Sequence, residues 1–198
     1  MRHFICSCLL IIAVISCKTK TDAGAGKSSN ANAPEKDILQ DKIPSENTSE
    51  NTDLTDRLVG FLQDRFKEDM EFLKPEDRKF QFDQLDLNGD GNKEIFIRFL
   101  TSYFCGTGGC DLLLLKSDLS EITHFTVMNV PLWIEQTQKN GWRIILTRDR
   151  DGLKELSYEN GTYPNNSSMV EKAPYDAASG NAYIMFDENF NPAITHDF

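Results

Sequence analysis

The stretch Asp86-Leu87-Asn88-Gly89-Asp90-Gly91-Asn92-Lys93-Glu94 places side-chain oxygens at its positions 1, 3, 5 and 9, with a glycine at position 6. Oxygens on alternate residues of a turning backbone can converge on one centre, and the glycine permits the sharp turn. Such a set suits Ca2+, which takes about 6–8 oxygen ligands at roughly 2.3–2.6 Å. Asp86, Asn88, Asp90 and Glu94 would supply side chains and Asn92 its main-chain carbonyl, in a structural rather than a catalytic role. The same residues also make a turn with no ion, because Asx side chains bond back to their own backbone. The residues alone leave both readings open.

A second pair of residues points to redox chemistry of a structural kind. Cys105 and Cys110 flank Gly106-Thr107-Gly108-Gly109, where three glycines in four residues allow a tight reversal. Two cysteines facing each other across a hairpin neck are expected to form a disulfide. A zinc site shared with His124 or His196 fits no common ligand spacing. The glycines are not a phosphate loop, since no Gly-Lys-Ser/Thr follows them.

Nothing resembling a catalytic constellation accompanies these features. His124 falls in a strand-like stretch and His196 near the end of the chain; both read as packing or surface residues. There is no Gly-x-Ser-x-Gly and no His-Glu-x-x-His. Arg148-Asp149-Arg150-Asp151-Gly152 reads as turn chemistry whose carboxylates come ready paired with arginines. Trp133, Trp142, Tyr158 and Tyr163 have the spacing of strand core residues, with a sugar or peptide groove as the rival reading.

The oxygen-rich loop resembles the Asp-x-Asn-x-Asp-Gly calcium loops of FG-GAP and VCBS repeats. It also resembles the first half of an EF-hand, but its twelfth position is Ile97, so the bidentate glutamate is missing and the flank is strand-like. A single copy excludes a whole β-propeller.

The N-terminal residues carry a second resemblance. Arg2 and His3 precede Phe4–Ile15, a mainly apolar run too short for the about 20 residues a membrane-spanning helix needs. It ends in Val14-Ile15-Ser16-Cys17, which resembles the lipobox of bacterial type II signal peptides. The resemblance implies a signal peptide over 1–16, cleavage before Cys17, a diacylglycerol thioether on the Cys17 sulfur and an acyl chain such as palmitate on its amine. Cys6 and Cys8 would leave with the signal. Lys18, directly after the cysteine, resembles lipoproteins passed on to an outer membrane. Residues 17–52 are expected to be a disordered tether: 18–52 contain no aromatic residue and few large aliphatics, too little apolar surface to offset chain entropy.

The elements that position these residues lie in 53–198. That segment holds twelve of the thirteen Phe, both Trp and all five Tyr, and so can build a core. It also carries the acidity: 15 Lys+Arg against 25 Asp+Glu, a net −10, while 18–52 nearly balance. An acidic body disfavours nucleic acid and direct docking on anionic lipid. Leu54, Leu58, Phe61, Leu62, Phe66, Met70 and Leu73 recur near helical spacing until Pro75. From Phe80 onward strand patterns alternate with the turns Asp90-Gly91, Asn140-Gly141, Asp151-Gly152 and Asn160-Gly161. The expected fold is α+β: an N-terminal amphipathic helix packed on an antiparallel β-meander.

Together these features predict a cell-envelope protein, lipid-anchored at the cell membrane or outer membrane, with its domain outside the cytoplasm. Its expected role is a non-catalytic binding or inhibitor-like module, with an envelope protein or glycan as partner. The alternatives are a structural or accessory envelope protein, or a hydrolase of envelope polymers using acidic residues.

Overall fold

A computed structural model describes residues 46–198 of the chain. The signal peptide over 1–16, Cys17 and the tether up to residue 45 lie outside the described residues. The body is β-rich and antiparallel, with one α-helix, α1 (Glu46–Arg65). Ten strands follow: β1 (Lys79–Leu85), β2 (Glu94–Phe99), β3 (Cys105–Gly106), β4 (Gly109–Leu115), β5 (Glu121–Met128), β6 (Leu132–Lys139), β7 (Trp142–Asp149), β8 (Gly152–Leu156), β9 (Tyr183–Met185) and β10 (Thr195–Asp197).

The strands divide into two sheets where the sequence pattern suggests one meander. The first runs β10-β1-β2-β4, with β3 and β5 both pairing to β4; the second runs β8-β7-β6-β9. The division falls after β5, at Asn129-Val130-Pro131, where the Val130–Pro131 peptide is cis. Each sheet is mostly a local meander, closed by a late strand that returns from far along the chain: β10 onto β1, β9 onto β6.

Side-chain alternation explains the layering, because successive strand residues face opposite ways. In β2, Phe96 enters one buried cluster while Ile95, Ile97 and Phe99 enter another; in β4, Leu112 and Leu114 separate likewise from Leu113 and Leu115. The first cluster joins the two sheets, bringing Phe125 and Met128 against Leu132, Ile134, Ile145 and Met185. The second holds Leu54, Leu58 and Leu62 of α1 with Phe80, Phe104 and Phe198. A sheet covered on both faces needs strands that are apolar throughout, which is why Leu112–Leu115 is an unbroken run.

α1 begins at Glu46, inside the stretch read as tether, and ends earlier than the apolar spacing up to Leu73 suggests. Beyond Arg65 the chain continues in tight turns, with Asp69 N–H donating to Phe66 O and Phe72 N–H to Asp69 O, both at 2.9 Å. The Arg78 guanidinium takes the carbonyls of Met70 at 2.9 Å and Leu73 at 2.8 Å. These capped carbonyls belong to the turns beyond α1, whose own end tightens to an i→i+3 bond from Lys67 N–H to Asp64 O at 3.4 Å.

The turns follow the dipeptides. Asn140 and Gly141 both have positive φ, 55° and 80°, as a two-residue hairpin loop requires. Asn160 and Gly161 do the same at 54° and 91°.

Candidate functional site

The oxygen-rich loop joins β1 to β2 and folds around Asp86. Asp86 Oδ1 accepts from Gly89 N–H at 2.7 Å and its Oδ2 from Gly91 N–H at 3.0 Å. Asn88 Oδ1 accepts from Asp90 N–H at 2.9 Å, and Asp90 Oδ1 from Asn92 N–H at 2.7 Å. Asn88 Nδ2 also donates to Asp90 Oδ2 at 2.9 Å. Gly89 and Gly91 supply the left-handed backbone, φ 80° and 88°, that brings those amides inward.

Glu94 sits differently from the rest. It is buried at the start of β2 and accepts from Leu87 N–H at 2.8 Å. Burial pushes its carboxyl up, and the nearby charges of Asp90 and Asp86 push it further. Asp90 moves the other way, held low by the Asn92 amide and the Asn88 side chain. The loop is tied to the second sheet through Arg143 N–H, which donates to Leu87 O at 2.8 Å.

The loop is therefore a complete Asx-turn cage. Its donor chemistry also fits a hard cation, because a carboxylate oxygen that accepts one amide keeps a second lone pair. Among the described residues, no group of three or more His, Cys, Asp or Glu side chains is arranged to hold a metal ion. A Ca2+ set here would need Asn88 and the Asn92 carbonyl as well as the three carboxylates.

Cys105 and Cys110 form a disulfide and are directly paired between β3 and β4. Gly109, at φ 148°, lies against β5 so closely that a Cβ there would stand 2.7 Å from Met128 O. The hairpin is thus pinned by its bridge and pressed on the neighbouring strand.

The ionisable groups of the body are largely engaged in structure. His124 Nε2 lies 3.1 Å from Asp111 Oδ2 on paired strands β4 and β5. His196 packs its ring beside Phe80 and Phe82, centroids 5.4 and 5.3 Å away, and burial lowers its pKa. Glu135, buried in β6, accepts from the Ser179 amide at 2.7 Å and from the Ser179 hydroxyl. Lys154, buried in β8, donates to Asp151 Oδ2 at 3.0 Å and Val170 O at 2.8 Å, with Asp149 Oδ2 at 3.6 Å. Asp83 of β1 accepts from Tyr183 at 3.1 Å and Asn191 at 2.7 Å, an arrangement joining the sheets that local sequence patterns do not signal.

The aromatic residues separate into core and surface. Tyr163 is buried, its hydroxyl donating to Arg143 O at 2.7 Å, and burial raises its pKa strongly. Trp142 stacks on Tyr158 at 4.2 Å, both packed against the main core. Trp133 differs: half-buried in β6, it lines a surface cleft of about 720 Å3 between the Thr107–Gly108 loop and the β7–β8 turn. A second groove, about 760 Å3, runs past Phe82, Asp83, Tyr183 and His196.

No family model, no curated protein and no solved structure matches the chain.

Proposed function

We propose that this chain is a lipid-anchored cell-envelope protein whose folded body binds a partner and catalyses no reaction of its own. The signal over 1–16 and Cys17 supply the anchor, at the cell membrane or outer membrane, and the stretch from 17 spaces the body from the bilayer. In this reading the body is an α+β fold, an amphipathic helix on a β-meander; the burial of Leu54, Leu58 and Leu62 beside Phe80 and Ile95 supports that description.

The observation that carries the binding role is the contrast between the site-forming groups and the clefts. Glu135, Lys154 and Asp83 each have their polar atoms bonded within the fold, a use that stiffens it. The two clefts of about 760 and 720 Å3 are large enough for a small ligand. Rigid strands carrying open clefts suit recognition. Asp86, Asn88, Asp90, Asn92 and Glu94 hold a structural Ca2+ in this reading, supported by the Asp86, Asn88 and Asp90 side-chain oxygens that the loop folds around. The acidic surface is turned to a protein or glycan partner, not to nucleic acid.

Cell fractionation tests the anchor. The wild type is expected in the membrane fraction and Cys17→Ser in the soluble fraction or unprocessed. Wild-type protein recovered soluble and free of acyl chains overturns the proposal.

A further inference from the structure

We infer that the cleft between the Thr107–Gly108 loop and the β7–β8 turn binds an acidic sugar, a pyranose carrying a carboxylate. The inference rests on the reading of the body as a binding module and names the class of its ligand. The cleft, about 720 Å3, has room for one or two sugar rings. Val130, Pro131 and Trp133 give it an apolar wall, and a half-buried indole is the surface on which the C–H face of a pyranose packs.

Charge decides the kind of sugar. Arg148 and Arg150 both line the cleft, and among the described residues neither has a carboxylate within ion-pairing distance. Each guanidinium is instead steadied by a main-chain carbonyl: Arg148 Nη2 donates to Asp176 O at 2.6 Å and Arg150 Nη2 to Thr107 O at 3.3 Å. A guanidinium has five N–H donors, so both retain donors for a ligand, in the planar fork that matches a carboxylate. Asp149 and Asp151, also on the cleft wall, are turned to Lys154, which offsets one of their two charges. The Asp176 carboxylate acts on Arg148 from nearby but forms no ion pair with it, so two guanidinium forks with free donors face the cleft in a body of net −10.

The fold disfavours an extended peptide in the same place. Peptides add to sheets through a free strand edge. The outer edge of β8 is already occupied, with Ala173 N–H donating to Leu153 O at 2.8 Å and Lys154 bridged to Lys172.

The test uses the full-length chain solubilised in detergent, titrated by calorimetry with digalacturonate, with its neutral counterpart galactobiose and with trialanine. Digalacturonate is expected to bind, with galactobiose and trialanine weaker by about tenfold or more, the worth of a charge-assisted pair. Arg148→Gln/Arg150→Gln, at two exposed positions, is expected to lose that preference while its melting temperature stays unchanged. Equal binding of acidic and neutral disaccharides, tighter binding of trialanine, or no binding of digalacturonate overturns the proposal; the wild-type comparisons decide it even if the variant fails to fold. Loss of digalacturonate binding in a chain still found in membranes removes the cleft and leaves the anchor. Binding by a chain that carries no lipid does the reverse.

Discussion

Lys154 donates to Asp151 Oδ2 at 3.0 Å across the β7–β8 turn, and the two side chains differ sharply in exposure, 3% against 66%. The ammonium is thus held at the sheet while its partner faces water. The bond to Asp151, with the charges of Asp149 and Asp151, raises the Lys154 pKa. A lysine whose folded pKa is raised contributes stability that is complete below its unfolded value, about 10.4, and is lost as pH climbs through the folded value. Denaturant titrations from pH 9 upward are expected to show a steeper alkaline decline for the wild type than for Lys154→Met. Parallel curves would mean the pair adds nothing.

At the other end of the pH scale, His196 is expected to act in the opposite sense. Its pKa is lowered by burial beside Phe80 and Phe82, and Asp197 only partly opposes that. Charging it costs more in the folded state, so its contribution is present above about pH 6.5 and falls as pH drops toward the folded value. His196→Phe should flatten stability between pH 7 and pH 5 relative to the wild type. NMR titration of His196 finding a value at or above that of a free histidine would contradict this.

The hairpin offers a backbone test. Gly109→Ala would set a Cβ 2.7 Å from Met128 O and 2.8 Å from Met128 N, both rigid backbone atoms of β5. An expected loss of about 1–3 kcal/mol follows from overpacking. Removing the disulfide with Cys105→Ala/Cys110→Ala should cost less than about 3 kcal/mol, because the closed loop is far shorter than fifteen residues. Alkylation of the native wild type is expected to label neither cysteine.

Much of the first sheet could be read from residues near one another in sequence. Leu112–Leu115 and the Cys105–Cys110 neck are local signals there, as the Asn140-Gly141 turn is in the second sheet, and each formed the element its pattern implies. The closure of each sheet was less legible because it is long-range: β10 returns to β1 and β9 to β6, and Tyr183 and Asn191 reach Asp83 across 100 and 108 residues. Arg148-Asp149-Arg150-Asp151 reads as two self-neutralised pairs. In the fold the carboxylates turn to Lys154 instead, and the arginines are left facing a cleft built partly by Thr107, from another hairpin. Pairing partners of that kind are set by packing, which no local pattern encodes.

Calcium is tested by heat. A ligand that binds only the folded state stabilises it by about 2.7 kcal/mol at a hundredfold excess over Kd. For a body of this size that is a rise of several degrees, at roughly 2–4 °C per kcal/mol. The wild type should melt higher in millimolar Ca2+ than in chelator, and Asp90→Ala should abolish the difference. Equal melting in both conditions would reduce the loop to the Asx turn its own hydrogen bonds already make.

The proposed anchor would decide where the body works, and the intact mass of the protein extracted from membranes tests it most directly. The mass should correspond to a chain beginning at Cys17 and carrying a diacylglyceryl group and an amide-linked acyl chain, with 1–16 gone. A mature chain lacking lipid on Cys17, or one cut elsewhere, would contradict the account.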